Sequence, residues 1–403
     1  MLSWDKMPAL TTMRQCRAWV EINLEALRHN VQALTQHIGP ETVLMAVVKA
    51  DAYGHGAVTV AETAVAAGAR WLGVATVPEG VELREAGLTT PILIMGAVNS
   101  SEEITAIARW QLQPTLVSPK QALVFSETLS TNSSHSLPVH LKVDTGMSRL
   151  GFDWQHAAEF VQFVRRLPRL HIHSVYSHLA TADEPDTTFM RSQQQYYESV
   201  LAQVASQGIV IPRRHLANSA ATLADPNLHY DMVRVGLALY GLYPGSHLQG
   251  ILSLQPVMQV KARITHLKEI QPGTGVSYGH TFVAEHPMRI AVVGIGYADG
   301  VPRTLSNRIS VLVNGQSAPQ IGNITMDQLM IDVTQIPNLQ EGSVVTLLGQ
   351  SGDLSITADH WAALTGTISW EILCSFKHRL PRITTTAPGS VSSRPETEEP
   401  RDR

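Results

Sequence analysis

The chain has 403 residues, of which 44% are hydrophobic and 16% charged, so it can form two or three domains with large cores. Its formal net charge of −4 argues against a nucleic-acid-binding protein, which usually presents a basic surface. Two cysteines, Cys16 and Cys374, are too few for a disulfide framework and fit a reducing cytoplasm. The sequence has no apolar run of the roughly 18 residues that a membrane span requires, no signal-peptide core and no metal-ligand spacing. We therefore expect a cytoplasmic protein without a metal, nucleic-acid or membrane partner.

The first two thirds of the chain alternate between short apolar strands and helices. Residues 1–16 lack a clear period and are predicted to be flexible. Residues 18–22 predict a strand, and a helix follows from Asn23 to Gly39. Further strands are predicted at residues 43–49, 71–75, 91–95, 113–117, 139–144, 172–177, 214–217 and 232–235. Eight strands alternating with helices predict a closed (β/α)8 TIM barrel over residues 17–253, since the glycine fingerprint of a doubly wound sheet is missing.

The hydrophobic pattern of the sequence changes after residue 254, where helical periodicity is replaced by strand-like runs. Glycine and proline turns separate these runs, which lie at residues 257–264, 289–295, 308–313, 328–333 and 343–348. One short helix is predicted at 358–364. The pattern predicts a mostly β C-terminal domain over residues 254–383. Residues 384–403 are rich in Thr, Ser, Pro and Glu and are predicted to be a disordered tail.

The stretch MAVVKADAYGHG, residues 45–56, places a lysine at the carboxyl end of an apolar strand. Lys49 follows the strand, and a loop of small residues carrying Tyr53 follows Lys49. A partly desolvated amine loses its proton more easily and can form a Schiff base with an aldehyde. On this stretch alone, a lysine that leaves a core strand for solvent is the more ordinary interpretation.

Polar side chains also follow four other predicted strands of the barrel. They are Arg149, His178, Asn218 with Ser219, and Arg234. Side chains at the carboxyl ends of barrel strands face a common site, and an arginine inside an apolar run needs a buried partner. Ser219 at a helix start, with backbone N–H groups near Gly236, suits a phosphate, and Lys49 supplies an amine. A phosphorylated aldehyde fits both the anion-binding segment and the Lys49 amine. This combination predicts pyridoxal 5′-phosphate as cofactor and an amino acid as substrate.

A series of motifs, taken in order, resembles the bacterial alanine racemases of fold type III. The motifs are VVKADAYGHG, KVDTGMSRLG, YSHLATAD, ANSA, VRVGLALYG, VSYGHTF, GYADG and NITMDQ. The resemblance covers residues 17–382. It implies an N-terminal barrel, a C-terminal β domain, pyridoxal phosphate as cofactor, and interconversion of L- and D-alanine to supply peptidoglycan. It also implies a homodimer whose active sites are shared between subunits.

The resemblance assigns the two bases and the substrate contacts. Lys49 would carry the cofactor and act as the base on the D-alanine side. Tyr278, reaching the site from the partner subunit, would act on L-alanine. Arg149 and Met326, the latter again from the partner, would contact the substrate carboxylate, and Asp327 would help shape the entry region.

The resemblance also assigns residues to the cofactor and to the positioning of Arg149. Arg234 would face the pyridine nitrogen and leave it unprotonated, because arginine does not give up its proton at ordinary pH. His178 would bond between Arg234 and Tyr278. Lys142 matches a lysine that is carbamylated in some members, where the carbamate would hold Arg149. The phosphate would be held by Tyr53, Ser219, Gly236 and Leu237.

The sequence departs from the family pattern at Trp370, where members commonly have a tyrosine in a segment of the form TIxYE. The indole has no hydroxyl, so the contacts to the phosphate and the entry corridor are in question, whereas the reaction is not. Three other functions stay open: a serine or broad-specificity racemase, a non-catalytic pyridoxal-phosphate carrier, and a decarboxylase on the related scaffold. Carriers are usually the barrel alone, so the second domain argues against that function.

Overall fold

The computed structural model describes residues 16–132, 136–387 and 390–391. The chain forms two compact units. One unit is Ala26–Gln255, and the other combines the chain up to Glu25 with the chain from Pro256 onward. The predicted flexible segment before Cys16, and residues 388–389 and 392–403 of the predicted tail, lie outside the described residues.

The unit Ala26–Gln255 is a barrel of parallel strands. The first strand of the described chain, β1 (Ala18–Asn23), lies in the other unit. The strands of the barrel unit are β2 (Val43–Val47), β3 (Trp71–Val74), β4 (Ile92–Ala97), β5 (Gln113–Leu116), β6 (Leu137–Asp144), β7 (Phe152–Asp153), β8 (Leu170–Tyr176), β9 (Arg214–His215) and β10 (Met232–Val235). Its sheet has the order β10-β2-β3-β4-β5-β6-β8-β9, and the short strand β7 pairs with β6. The N–H groups of Asp231 and Arg234 donate to the carbonyls of Arg214 and Ala217, each at 3.0 Å, and so close the barrel between β9 and β10.

Helices connect the barrel strands. They are α1 (Leu24–Ile38), α2 (Ala57–Ala67), α3 (Val77–Glu85), α4 (Ser101–Arg109), α5 (Pro119–Asn132), α6 (Ala157–Arg166), α7 (Thr188–Ser206) and α8 (Ser219–Ala224). The apolar positions that predicted α1, among them Leu27, Val31 and Leu34, are all completely buried. The predicted (β/α)8 barrel is therefore confirmed, and every one of its eight predicted strands is present at its predicted place.

The second unit is built on a ten-stranded sheet of order β19-β18-β15-β16-β17-β14-β11-β1-β20-β21. Its further strands are β11 (Met258–Ile270), β12 (Gly275–Val276), β13 (Phe282–Val283), β14 (Met288–Val293), β15 (Ser310–Val313), β16 (Gln316–Ile321), β17 (Leu329–Asp332), β18 (Val344–Ser351), β19 (Leu354–Ile356), β20 (Arg382–Ala387) and β21 (Ser390–Val391). Two helices accompany them, α9 (Ala358–Thr365) and α10 (Ser369–Ser375), of which only the first was predicted. The predicted C-terminal β domain is confirmed.

Two predicted boundaries are wrong. Strand β1 was assigned to the barrel domain, but it pairs antiparallel with β11 and parallel with β20, inside the sheet of the β domain. Residues 384–387 and 390–391 were assigned to a disordered tail, but they lie in β20 and β21; Thr384 and Thr385 pair with β1, and β21 pairs with β20. The reason is the same for β1 and β20, because each pairs with a strand hundreds of residues away and leaves no local signal in the sequence.

No helix in the described ranges has the length and apolarity needed to cross a lipid bilayer.

Candidate active site

Lys49 lies just beyond the carboxyl end of β2 and opens a turn of left-handed backbone. Residues 50–53 all have φ between 52° and 55°, although none of them is glycine. This conformation costs about 1–2 kcal/mol per residue with a side chain. The turn is held by hydrogen bonds from the N–H of Ala50 to the Glu79 carboxylate at 2.7 Å and from the N–H of Ala52 to the Val48 carbonyl at 2.9 Å. Strain that the surroundings hold in place is typical of functional sites.

The left-handed turn brings Tyr53 to the segment after β10. A Cβ placed on Gly236 would lie only 2.5 Å from the Tyr53 hydroxyl, so no other residue fits there without a shift. The N–H of Gly236 donates to Oγ of Ser219 at 3.0 Å, and Leu237 follows with its side chain buried. The Tyr53 and Ser219 hydroxyls thus come together beside the backbone of residues 236–237, and hydroxyl and N–H donors grouped in this way suit a phosphate.

Arg234 is 4% exposed and makes four hydrogen bonds within the described residues. Nη1 donates to Nδ1 of His215 at 3.0 Å. The two hydrogens of Nη2 are shared among three acceptors, the carbonyls of Ser177 and Leu216 at 2.8 and 3.0 Å and Nδ1 of His178 at 3.1 Å. All four acceptors are uncharged if the two histidines are neutral, so the structure buries a cation among neutral groups. Nε–H and one Nη1–H have no acceptor among the described residues and are available to a ligand.

Burial and the charge of Arg234 together shift the pKa values at this site. Burial lowers the pKa of Arg234 itself from 12.5 to about 10, which still leaves it charged at neutral pH. Burial, followed by the charges of Arg234, Arg149 and Lys49, lowers the pKa of Lys142 from 10.5 to about 8. Burial and then Arg234 also hold the pKa of His178 well below 6.5, with smaller contributions from Lys142, Arg149 and Lys49. His178 is therefore a neutral imidazole and can accept the hydrogen bond from Arg234.

The structure brings together the barrel residues that the sequence singled out. Lys49 is partly buried, and its charge acts on both Lys142 and His178. Arg149 is exposed, and its charge acts on the same two groups. Asn218, one of the polar residues that follow the predicted strands, caps α8 by accepting the N–H of Ala221 at 3.0 Å.

Sequence reasoning missed His215 and Tyr176. The two rings stack with centroids 4.6 Å apart, and Cζ of Arg234 lies 5.1 Å from the Tyr176 centroid. Nζ of Lys142 lies 5.6 Å from the same ring. Burial raises the pKa of Tyr176 to about 12, so it stays a neutral phenol. Tyr176 begins the motif YSHLATAD, and His215 lies two residues before the motif ANSA. Side chains along a strand point alternately to its two faces, and this alternation was the signal that could have found both residues.

The β domain carries Tyr278 and Met326 on exposed loops. Tyr278 is 74% exposed and Met326 is 53% exposed. The side-chain amide of Asn323 donates to the Tyr278 carbonyl at 2.6 Å, and the Ser277 hydroxyl donates to the Asn323 carbonyl at 2.6 Å. These bonds tie the two loops together beside a cavity of about 540 Å³ that Tyr278 lines.

Two other predicted positions lie in the same unit. Asp327 is exposed and accepts a hydrogen bond from Arg379 at 2.6 Å. Trp370 is partly buried in α10. The structure gives each of them a place in the β domain, and their predicted roles at the entry to the site stay predictions.

Comparison with known proteins gives one consistent result over both units. The family described as alanine racemase, N-terminal domain, matches residues 22–244, and the family described as alanine racemase, C-terminal domain, matches residues 257–384. An alanine racemase from a Nostoc species is 68% identical over 368 residues, which cover 91% of this chain and 95% of that protein.

Comparison with solved structures gives the same family. The alanine racemase of Bacillus anthracis with bound L-Ala-P has a TM-score of 0.87 at 35% identity, covering 94% of this chain and 97% of that chain. The alanine racemase of Bartonella henselae with covalently bound pyridoxal phosphate has a TM-score of 0.81 at 31% identity, covering 92% of this chain and all of that one. This chain therefore belongs to the alanine racemase family of isomerases.

Proposed function

We propose that this protein is an alanine racemase that interconverts L- and D-alanine with pyridoxal 5′-phosphate bound at Lys49. The observation that carries the proposal is the grouping at the carboxyl end of the barrel. Lys49 ends a strand there, Arg234 is buried among neutral acceptors, and Tyr53 and Ser219 supply hydroxyls beside Gly236.

The residues present fit this cofactor. Tyr53, Ser219 and the backbone of Gly236 and Leu237 would hold the phosphate, and Arg234 would face the ring nitrogen with its uncommitted N–H groups. When bound, pyridoxal phosphate supplies the carbonyl chemistry that acidifies the Cα–H of an amino acid. Because Arg234 keeps its own proton, it would not protonate the ring nitrogen, which favours simple removal and return of a proton over side reactions.

Racemisation requires a proton acceptor and donor on each face of the substrate Cα. The Lys49 amine would exchange the proton on one face. A tyrosine hydroxyl would exchange it on the other face, and the resemblance assigns that role to Tyr278 of a second copy of the chain. Arg149, which is exposed and follows a barrel strand, would bind the substrate carboxylate together with Met326 of a second copy of the chain.

The exposure of Tyr278 and Met326 supports a homodimer with shared sites, because large side chains on adjoining exposed loops are available to a partner. A mixed dimer of Lys49→Ala and Tyr278→Phe chains tests this arrangement. Neither variant alone should racemise alanine, whereas the purified mixed dimer should regain one working site of two. A mixed dimer as inactive as its parents would contradict shared sites.

The decisive experiment is racemisation of L-alanine by the purified protein with added pyridoxal phosphate, with L-serine and L-lysine tested alongside. We expect alanine to be the preferred substrate and no carbon dioxide to be released from any of them. Lys49→Ala should lose at least about 10³-fold in kcat together with the visible absorbance of the bound cofactor. Lys120→Ala, which removes an exposed lysine of α5, is the matched control and should be unaffected. Cofactor binding without turnover of any amino acid would instead indicate a carrier.

We further propose that Lys142 takes up carbon dioxide. The amine nitrogen would form a bond to the carbon of CO₂ and release one proton, giving an anionic carbamate. The lowered pKa of Lys142 leaves about a tenth of the amine neutral at pH 7, and the nearby charges of Arg234, Arg149 and Lys49 favour an anion there. Incorporation of ¹³C-labelled CO₂ into the parent but not into Lys142→Met, followed by NMR, tests this.

The D-alanine is proposed to serve peptidoglycan synthesis in the cytoplasm, in line with the family. Expression of the chain in a bacterium that needs added D-alanine should restore growth without it. Failure of the active protein to restore growth would contradict this assignment.

A further inference from the structure

A chain of hydrogen bonds leaves Arg234 and runs through the barrel interior. Nη1 of Arg234 lies 3.0 Å from Nδ1 of His215, and Nε2 of His215 lies 2.9 Å from Oγ of Ser174. That oxygen lies 2.6 Å from Nδ1 of His140, whose Nε2 lies 2.9 Å from Oε1 of Gln113. His215, Ser174 and His140 are each completely buried, so these side chains satisfy one another.

The position of each proton in this chain follows from its first member. An arginine side chain has only donors, so Nδ1 of His215 must accept, and the one proton of the neutral ring lies on Nε2. His215 then donates to Ser174, the Ser174 hydroxyl donates to Nδ1 of His140, and Nε2–H of His140 donates to Gln113. One assignment satisfies all four bonds. Reversal of the chain would place an N–H of His215 against an N–H of Arg234.

The surroundings keep both imidazoles neutral, as this assignment requires. Burial, followed by the charge of Arg234, holds the pKa of His215 well below 6.5, and His140, Arg213 and His173 act in the same direction. Burial and then His173 hold the pKa of His140 well below 6.5. The ring of Tyr176, a neutral phenol, covers one face of His215.

We propose that Ser174 and His140 are positioning residues that act on the active site through His215 and Arg234. By accepting the Nε2–H of His215 and continuing the hydrogen bonds to Gln113, they hold the His215 ring in place. Nδ1 of that ring holds one edge of the Arg234 guanidinium, while its Nη2 is held by the Ser177 and Leu216 carbonyls. Both sets of hydrogen bonds, at Nη1 and at Nη2, fix the plane of the guanidinium and thus the direction of its uncommitted N–H groups. This inference rests on the proposed function, which assigns Arg234 to the cofactor ring.

The first test uses the parent protein without cofactor and does not depend on activity. Neutron diffraction, or NMR of protein labelled with ¹⁵N-histidine, shows which ring nitrogen of His215 carries the proton. We expect it on Nε2 in the parent and also in Ser174→Ala, since Arg234 still requires Nδ1 to accept. The NMR shifts of the Nε2–H group should nevertheless move in Ser174→Ala, because its acceptor is gone. A proton on Nδ1 of His215 in the parent would overturn the proposal.

The second test compares Ser174→Ala with Ser126→Ala. Ser126 is a matched control, since it is a 3% exposed serine of α5 whose hydroxyl donates to the Pro168 carbonyl at 2.8 Å. We expect kcat for L-alanine to fall about tenfold in Ser174→Ala and its pH profile to move, with KM and Tm no more affected than in the control. Ser174→Thr, which keeps the hydroxyl, should restore the pH profile. Identical pH profiles for the two alanine variants would contradict a positioning role.

The two tests also separate this inference from the proposed function. If the parent binds no pyridoxal phosphate and racemises no amino acid, the proposed function fails. The proton position on His215 in the cofactor-free parent, and the shift of its Nε2–H in Ser174→Ala, still decide whether the chain orients Arg234.

Discussion

The barrel and the β domain each bury a full charge, but they treat it in opposite ways. In the barrel, Arg234 is surrounded by neutral acceptors. In the β domain, the Asp299 carboxylate is completely buried and accepts two hydrogen bonds from Arg17, at 2.7 and 2.9 Å. Nε of Arg379 lies 3.4 Å from Oδ1 of the same carboxylate. Asp299 also accepts the N–H of Gly296 at 3.0 Å.

The difference between the two sites indicates different roles for the Asp299 and Arg234 charges. The compensated carboxylate raises the pKa of Arg17 and joins the segment before β1 to the loop after β14, which is a structural role. Burial lowers the pKa of Lys142 and of His178, and the charge of the uncompensated Arg234 guanidinium lowers both further. A buried charge without a counter-ion costs stability, so its presence indicates chemistry.

The largest effect is expected when the compensated pair is broken. Asp299→Asn leaves Arg17 without its counter-charge and should lower the free energy of unfolding by about 3–5 kcal/mol. The control is Asp231→Asn, which breaks a similar two-pronged pair with Arg214 whose side chains are 33% and 45% exposed, and which should cost about 1 kcal/mol or less. Urea denaturation of both variants measures the difference. Equal losses would show that burial of the pair is unimportant.

A somewhat smaller change in free energy is expected when the uncompensated charge is removed. Arg234→Gln should lower kcat for L-alanine by about 10²–10³-fold, because a preoriented charge at the site is lost. The pKa values of His178 and Lys142 should both rise, since Arg234 lowers each of them. NMR titration of His178 measures the first shift. Arg213→Gln, which removes an arginine that lies 5.6 Å from the Trp71 ring, should leave His178 unchanged.

The smallest effect concerns Lys142, whose folded pKa of about 8 lies below its ordinary 10.5. The protonated amine is therefore less stable in the folded state than in the unfolded state. This penalty is complete below pH 8 and disappears as the pH rises toward 10.5, and it is at most roughly 3 kcal/mol. In buffer free of CO₂, Lys142→Met should raise stability by about 1–2 kcal/mol at pH 7 and by less at pH 10. A gain that does not change with pH would contradict a charge origin.

Much of the fold could be predicted because each barrel strand is a short apolar run between helices. All eight barrel strands and the change to a β domain followed from local pattern. The membership of β1 and β20 in one sheet did not, because pairing over a long sequence separation has no local signature. The left-handed turn after Lys49 was also missed, since residues 50–53 include no glycine that would have marked it.

By itself, the sequence predicted that Ser219 and the backbone near Gly236 would suit an anion. It also determined that a lysine follows the first barrel strand and that Arg234 needs a buried partner. Only the tertiary structure decided what that partner is. Five strands of the barrel bring Gln113, His140, Ser174, His215 and Arg234 into one hydrogen-bonded chain. A sequence shows which residues are polar, but the direction in which each donates depends on neighbours that only the closed barrel places beside it.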